Sequence, residues 1–244
     1  MAADLFFDLD RTLWDFDRNS REALRLIFEE HARSEMPEPV SVDAFIRVYE
    51  RENERCWASY QAGQMTQAEL RPTRFRRTLE ALGLEASAVR EELAHALGRA
   101  YVERSPFLPH LIPGAMELVE HLRGKGHRLF IITNGFEEVQ HIKMEHSGLK
   151  PHFEAVFTSD ALGHKKPAPE AFHASLRAAA SRPEDAVMIG DDLVCDVVGA
   201  RRVGMRAVHF NPKAQAHREQ VWRTVTDLGQ ILHLPLTRHS ASMP

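Results

Sequence analysis

The feature that most constrains the fold of this chain is an apolar run near its N-terminus. Residues 5–7 are Leu-Phe-Phe, and the run ends at Asp8. A segment without polar alternation is typical of a strand buried on both faces, because a solvent-facing side would place a polar residue at every second position. The next segment of this kind starts only at residue 128. The first strand therefore joins a sheet whose other strands come from the C-terminal half of the chain.

From residue 106 the pattern changes to alternating strands and helices. We predict strands at Arg128–Thr133, Ala155–Thr158, Ala186–Ile189 and Ala207–Phe210, and an edge strand with a helix within Val221–Leu232. A helical segment separates each of the four main strands from the next. This order, with apolar strands, is typical of a parallel sheet that helices cover on both faces. The predicted fold class is α/β, with a doubly wound, mainly parallel sheet.

Residues 18–105 contain no comparable strand. Four segments within them place apolar residues along one helical face, at Ser20–Glu35, Asp43–Gln61, Gln67–Leu82 and Ser87–Glu103. We therefore predict an α-helical cap, residues 16–105, inserted after the first strand. Residues 1–15 and 106–244 would then form a discontinuous α/β core, with the cap acting as its lid.

Composition narrows the classes of partner. The net charge is −4, so neither a nucleic acid polymer nor an anionic membrane is expected. The chain has no run of the ~20 apolar residues that a membrane span needs, and its N-terminus does not read as a signal peptide. The two cysteines, Cys56 and Cys195, are far apart, and we expect free thiols and a cytoplasmic location. Nothing in the sequence indicates an oligomeric state.

Acidic side chains follow two of the predicted strands. Asp8 and Asp10 come after the first strand, Asp191 and Asp192 come after a later one, and Asp196 lies one helical turn further on. In open α/β sheets, ligands bind at the carboxyl ends of the strands. Carboxylates gathered there would raise one another's pKa unless a cation lay among them, and oxygen ligands suit Mg²⁺. We predict a magnesium site at this edge, where a carboxylate could also attack phosphorus.

Groups suited to an anion lie at the same edge. Thr133, Asn134 and Gly135 follow a second strand and precede a helix N-terminus, which favours a negatively charged ligand. A later loop supplies Lys165 and Lys166. A lysine and a metal together would neutralise the oxygens of a phosphoryl group during its transfer.

In this order, the groups resemble the four motifs of the haloacid dehalogenase-like (HAD) superfamily. DxDxT matches Asp8, Asp10 and Thr12; the strand-end threonine matches Thr133; the Lys-Pro pair matches Lys166-Pro167; and GDxxxxD matches Gly190, Asp191 and Asp196. The helical block stands where the family has its C1-type cap. The resemblance therefore covers essentially the whole chain.

The resemblance implies roles for the acidic residues. Asp8 would be the nucleophile and a metal ligand. Asp10 would protonate the leaving group and then activate water, and its backbone carbonyl would reach the metal. Asp191 would ligate Mg²⁺. Asp196 would orient the lysine or join the metal shell, and Asp192 is the alternative for this work.

For the basic and neutral residues, the resemblance implies contacts with the phosphoryl group. Thr133 and Lys166 would hold it, with Asn134 and Gly135 as further substrate-binding residues. Lys166 is preferred over Lys165 because the family's lysine directly precedes the proline.

Asp10 separates two subclasses of the superfamily. The 2-haloacid dehalogenases resemble the chain in cap and motifs but lack an acid two residues after the nucleophile, because cleavage of a carbon–halogen bond needs no protonated leaving group. A phosphohydrolase is therefore predicted. A phosphotransferase of the β-phosphoglucomutase type and a non-enzymatic phosphate-binding module are the alternatives, although no motif residue is missing.

Looser similarities favour the pyrimidine 5′-nucleotidase branch. They are residues 8–16 (DLDRTLWDF), 57–63 (WASYQAG), the stretch from Leu70 to Phe75 and residues 133–136 (TNGF). We expect a nucleoside monophosphate as substrate, with a sugar phosphate or phosphoglycolate as the alternative. Trp14 and Phe16 are predicted to line the substrate pocket. The cap aromatics Trp57, Tyr60 and Phe75 are interpreted as core residues, with stacking on a base as the other reading.

Overall fold

The computed structural model describes residues 2–36 and 40–238. Residues 1 and 239–244 of the predicted core and residues 37–39 of the predicted cap therefore lie outside the described part of the chain. The chain divides into two compact units. One consists of Met1–Phe16 and Pro109–Pro244, and the other of Asp17–Leu108. The boundaries of the second unit differ from those of the predicted cap by one residue at its start and by three residues at its end. Each unit is described separately below.

The first unit contains a six-stranded sheet. Its strands are β1 (Asp4–Phe7), β2 (Arg128–Thr133), β3 (Ala155–Thr158), β4 (Ala186–Gly190), β5 (Arg206–Phe210) and β6 (Arg223–Val225). Their order is β3-β2-β1-β4-β5-β6, and every neighbouring pair is parallel. The N-terminal strand is therefore central, and the predicted α/β fold class is confirmed.

Strand register brings the predicted site residues to one edge. Phe7 lies beside Ile131 of β2 and Ile189 of β4, so the three strands reach this edge together. The backbone N–H of Asp8 donates to the carbonyl of Ile189 at 2.9 Å and extends the β1–β4 pairing by one residue. The chain order also reverses between β1 and β4, which opens a crevice at the carboxyl ends of these strands.

Alternation along the strands explains why helices cover both faces. Leu5 and Phe7 of β1 belong to one apolar cluster, and Phe6 belongs to a second cluster on the opposite face. The strands β2 and β4 divide their side chains in the same way. Because both sets of side chains are buried, the strands read as continuous apolar runs in the sequence.

Helices of the first unit supply these covering layers. They are α5 (Ala115–Gly124), α6 (Glu137–His146), α7 (Ser159–Leu162), α8 (Pro169–Ala178) and α9 (Gly199–Arg202), the last preceded by a π-type helical segment, Leu193–Val198. In the second unit, the described residues form helices joined by turns and contain no strand. It contains most of α1 (Phe16–Ile27), a π-type segment Phe28–Ala32, α2 (Val42–Gln61), α3 (Gln67–Ala81) and α4 (Ala88–Val102).

The second unit has its own apolar core, to which α1–α4 all contribute. Phe75 is fully buried in it, and Tyr60 is buried as well. Trp57 packs edge-on against Tyr60, with ring centres 5.5 Å apart. Two of the three cap aromatics are therefore packing residues. Among the described residues, no helix combines the length and the apolar composition that a membrane span requires.

Candidate active site

Lys166 is the centre of the predicted site. Its ammonium nitrogen Nζ donates to Oδ1 of Asp8 at 2.7 Å and to Oδ1 of Asp196 at 2.6 Å. The lysine side chain is only 2% exposed, so both ion pairs are shielded from water. Burying an ammonium group without a partner costs free energy, because the charge loses its hydration. The two carboxylates offset this desolvation cost.

A third carboxylate completes an acidic cluster. Oxygens of Asp8, Asp191 and Asp196 all lie within 4.8 Å of one another. The hydroxyl of Thr12 donates to Asp191 at 3.3 Å. Three carboxylates and one ammonium leave an excess of negative charge that a divalent cation would balance. Carboxylate oxygens are also the ligands that Mg²⁺ prefers, so this donor set fits the predicted ion.

Burial and neighbouring charges change the pKa values of the groups in this cluster. Burial raises the pKa of Asp8 well above its usual range, against the opposing effect of Lys166. Burial, with the neighbouring charge of Asp196, raises the pKa of Asp191 to about 7. Burial also raises the pKa of Asp196. Although burial opposes its charge, Asp196 and Asp8 keep the pKa of Lys166 well above its ordinary value.

Asp196 and Asp192 have different surroundings. Asp192 accepts hydrogen bonds from the backbone N–H groups of Val194 and Cys195, at 2.9 and 2.8 Å, and so caps the helical segment that follows β4. Asp196 is fully buried and contacts Lys166. Of the two acids that sequence reasoning left as alternatives, Asp196 is the one in the cluster.

The carboxylate of Asp10 lies in a separate environment. Its Oδ1 accepts from Nζ of Lys143 at 2.6 Å, and its Oδ2 accepts from Nε2 of Gln140 at 2.9 Å. It is not part of the cluster formed by Asp8 and its neighbours among the described residues. Its predicted role as a metal ligand through the backbone carbonyl stays a prediction.

Lys143 and Gln140 are site residues that sequence reasoning missed. Both lie on α6, and both are buried together with Met144 on the inner face of this helix. The signal that could have identified them is two polar residues on the buried face of a helix, where apolar residues are expected. Their common partner is 130 or more residues away in sequence, so no local pattern indicates the contact.

Thr133 is arranged as a donor. Its hydroxyl oxygen accepts from the backbone N–H of Gly135 at 3.1 Å and from Nε2 of Gln140 at 2.7 Å. A hydroxyl has two acceptor positions and one donor, so these contacts leave its hydrogen available for another oxygen. The side chain of Asn134 instead exchanges two hydrogen bonds of 2.8 Å with the backbone of Lys166. Asn134 thus holds the lysine loop, and its predicted role in binding the substrate stays a prediction.

The two predicted pocket aromatics differ in exposure. Trp14 is completely buried in the core, so its ring offers no surface to a substrate in this structure. It forms a platform for Lys143, whose Nζ is 4.4 Å from the ring centre. Phe16 is partly buried, and the guanidinium of Arg11 lies 4.4 Å from its ring centre.

Family and structural comparisons agree with this geometry. A family model described as haloacid dehalogenase-like hydrolase matches residues 5–204. The chain belongs to the haloacid dehalogenase-like hydrolase family. The predicted family and the prediction of a hydrolase are therefore confirmed.

Particular relatives match over nearly their full length. YfnB of Bacillus subtilis (strain 168), named as a HAD-hydrolase, is 30% identical over 233 residues, 94% of each chain. Pyrimidine 5′-nucleotidase YjjG of Escherichia coli (strain K12) is 29% identical over 242 residues, 96% of this chain and 98% of its own. Ribulose-1,5-bisphosphate 5-phosphatase of Halopiger xanaduensis is 32% identical over 219 residues, 88% of this chain and 87% of its own.

A solved structure extends the comparison to the metal. YfnB bound to magnesium aligns with a TM-score of 0.81 at 29% identity, over 95% of this chain and 97% of YfnB. That crystal form is described as revealing interdomain movement in YfnB.

Proposed function

We propose that the chain is a Mg²⁺-dependent phosphomonoester hydrolase that forms an aspartyl phosphate on Asp8. The observation that carries the proposal is the buried cluster in which Lys166 joins Asp8 to Asp196, with Asp191 within 4.8 Å. A carboxylate nucleophile beside an ammonium and two cation-binding acids suits attack on a phosphate ester, whose oxygens need positive charge around them.

In the first step, an oxygen of Asp8 forms a bond to phosphorus while the bond from phosphorus to the leaving oxygen breaks. Asp10 gives its proton to that oxygen, which makes an alcohol the leaving group. Lys166 and the hydroxyl of Thr133 bind the phosphoryl oxygens as charge develops on them. The hydroxyl suits this role because its acceptor positions are already filled by Gly135 and Gln140.

In the second step, water attacks the phosphorus of the aspartyl phosphate, and Asp10 takes up its proton. The bond to Asp8 breaks, inorganic phosphate leaves, and the free carboxylate is restored. Asp8, Asp191 and Asp196 would hold Mg²⁺, which when bound neutralises negative charge on the phosphoryl group.

A pyrimidine nucleoside 5′-monophosphate is the proposed substrate. The pyrimidine 5′-nucleotidase YjjG, which is 29% identical over 96% of the chain, supports this choice. A sugar phosphate is the second candidate, because the ribulose-1,5-bisphosphate 5-phosphatase is 32% identical over 88% of the chain. A nucleic acid polymer is not proposed as a substrate. The two cysteines are free, which is compatible with a cytoplasmic location.

A substrate screen separates the two candidates. The value of kcat/KM would be measured for uridine, thymidine and cytidine monophosphates beside ribose and triose phosphates. We expect the best nucleotide to exceed the best sugar phosphate by about tenfold or more, which corresponds to ~1.4 kcal/mol of selective binding in the transition state. A higher kcat/KM for a sugar phosphate than for any nucleotide would show that the sugar phosphate is the substrate.

The mechanism is tested by Asp8→Asn. We expect this variant to lose turnover of p-nitrophenyl phosphate by at least about a thousandfold, since an amide oxygen is a poor nucleophile. A chelator should likewise abolish turnover by the unmodified chain, and Mg²⁺ should restore it. Glu170→Gln, at an exposed acid on α8, is the matched control and should retain full activity. Phosphatase activity that survives in Asp8→Asn would refute the proposal.

A further inference from the structure

Both oxygens of the Asp10 carboxylate are held by one helix. Gln140 and Lys143 stand three residues apart on α6, a spacing that places two side chains on the same helical face. Gln140 binds Oδ2 at 2.9 Å and Lys143 binds Oδ1 at 2.6 Å. A carboxylate that is bound at both oxygens has one orientation.

The position of Lys143 is itself determined by its surroundings. Its side chain is 6% exposed, and its ammonium lies 4.4 Å from the ring centre of Trp14 and 5.8 Å from that of Phe16. An ammonium in such a site needs a negatively charged partner and benefits from the ring faces. Asp10 supplies that partner, so the lysine and the carboxylate fix each other.

Gln140 connects Asp10 to the predicted phosphoryl-binding residue. The glutamine is completely buried, and its Nε2 donates both to Asp10 and to the hydroxyl of Thr133, the latter at 2.7 Å. Gly135 provides the room for it, because a Cβ at residue 135 would lie 2.2 Å from Nε2. Lys143, Asp10, Gln140 and Thr133 are thus connected by hydrogen bonds at the end of β2.

We propose that Lys143 and Gln140 are positioning residues that keep the Asp10 carboxylate out of the cluster of Asp8, Asp191 and Asp196 and directed at the leaving oxygen and the attacking water. The proposal rests on the proposed function. We call the two contacts of Lys143 and Gln140 with Asp10 the clamp. Without the clamp, the carboxylate of Asp10 would be drawn toward the cation-binding site. It is 25% exposed, so a reacting group can reach it while the clamp is in place.

Lys143→Met in the full chain is the principal test. Methionine keeps a long unbranched side chain beside Trp14 but removes the ammonium. The substrate is p-nitrophenyl phosphate with Mg²⁺ in a rapid-mixing experiment. Because p-nitrophenolate leaves without being protonated, phosphorylation of Asp8 should proceed, whereas hydrolysis of the aspartyl phosphate needs Asp10 and should slow.

The expected result is a burst of one p-nitrophenolate per chain, followed by steady-state turnover at least about tenfold slower than that of the unmodified chain, because small displacements of a catalytic group have effects of this size. An alkyl phosphate, whose leaving group needs the proton, should show slow turnover and no burst. Lys143→Arg keeps the positive charge and should recover part of the rate. Lys150→Met, at an exposed lysine paired with Glu145, should behave like the unmodified chain.

Two outcomes would overturn the positioning role. One is steady-state turnover in Lys143→Met equal to that of the unmodified chain. The other is a burst that shrinks in proportion to the steady-state rate, because this pattern reports fewer folded molecules with unchanged chemistry. If Lys143→Met does not fold, Gln140→Met is measured in the same way. The proposed function fails separately, if the unmodified chain turns over without a phosphorylated Asp8.

Discussion

Glycine at residue 190 determines how closely Asp196 approaches the end of β4. A Cβ at this position would lie 2.1 Å from Oδ2 of Asp196, which is far inside van der Waals contact. The same oxygen accepts from the backbone N–H of Asp192 at 3.0 Å, while the other binds Lys166. The absence of a side chain at Gly190 therefore permits the cluster to form.

Gly190→Ala should displace Asp196 from Lys166. We expect a loss of about 1–3 kcal/mol in the free energy of unfolding, the usual cost of overpacking, and at least about a tenfold fall in kcat. Urea unfolding and phosphatase kinetics measure the two effects. Gly124→Ala is the control, because a Cβ there would meet nothing within 4 Å. Equal activity in the two variants would contradict this role for Gly190.

Single residues also mark where sequence reasoning ends. Asp8, Lys166, Asp191 and Asp196 could be selected because each follows a recognisable apolar strand or matches a spaced motif. Trp14 is predicted to line the substrate pocket because it lies in sequence near the boundary between core and cap, yet its ring is wholly buried. Whether an aromatic ring is buried depends on the side of the turn on which it lies. A short irregular segment has no periodicity, so the sequence does not predict that side.

At the scale of the elements, β1 begins one residue earlier than predicted, at the charged residue Asp4. Its partner in the β1–β2 register is Arg128, whose Nε donates to Asp4 at 2.8 Å. Ser181 donates to the same carboxylate at 2.7 Å. The apolar pattern of β1 could not predict that a charged residue belongs to the strand, because Arg128, which compensates the charge of Asp4, lies 124 residues away.

The Asp4 contacts should contribute to stability in a pH-dependent way. Although burial opposes its charge, hydrogen bonds from Arg128 and Ser181 lower the pKa of Asp4. The stabilisation is therefore fully present above the unfolded-state pKa of about 3.9, and it is lost as the pH falls through the lower folded-state value.

Asp4→Asn tests this assignment. At pH 7 we expect a loss of about 2 kcal/mol or more in the free energy of unfolding, and we expect the difference from the unmodified chain to shrink below about pH 4. Urea unfolding across this pH range gives both values. Glu154→Gln removes an exposed ion pair with Arg123 and should change stability by less than about 1 kcal/mol. A difference between Asp4→Asn and the unmodified chain that persists in acid would argue against the charge as its cause.

At the scale of the whole molecule, the chain leaves and re-enters the α/β unit through two paired segments. Trp14 and Leu111 form an antiparallel bridge, and the backbone N–H of Ile112 donates to the carbonyl of Leu13 at 2.8 Å. The backbone N–H of Asp15 donates to the backbone carbonyl of His110 at 3.0 Å. The two ends of the helical insertion are therefore neighbours within the α/β unit itself.

A short Gly-Ser linker in place of residues 17–108 should leave a folded α/β unit, since closing a short loop between adjacent ends costs little entropy. We expect cooperative thermal unfolding, and we expect Mg²⁺ to raise the Tm. Asp191→Asn in the shortened chain should remove the effect of Mg²⁺ but preserve folding. A shortened chain that lacks cooperative unfolding would show that the α/β unit depends on the helical one.

The central position of β1 also has a consequence for synthesis on the ribosome. The strand emerges before the helical unit, and its neighbours β2 and β4 follow only after the whole helical unit has been made. The helical unit joins segments that are close in sequence, so it can fold while β1 still waits for its partners. The apolar Leu5–Phe7 segment thus stays unpaired for longest, and Asp4 and Asp8 at its two ends provide the charges that oppose its association with other chains during this interval.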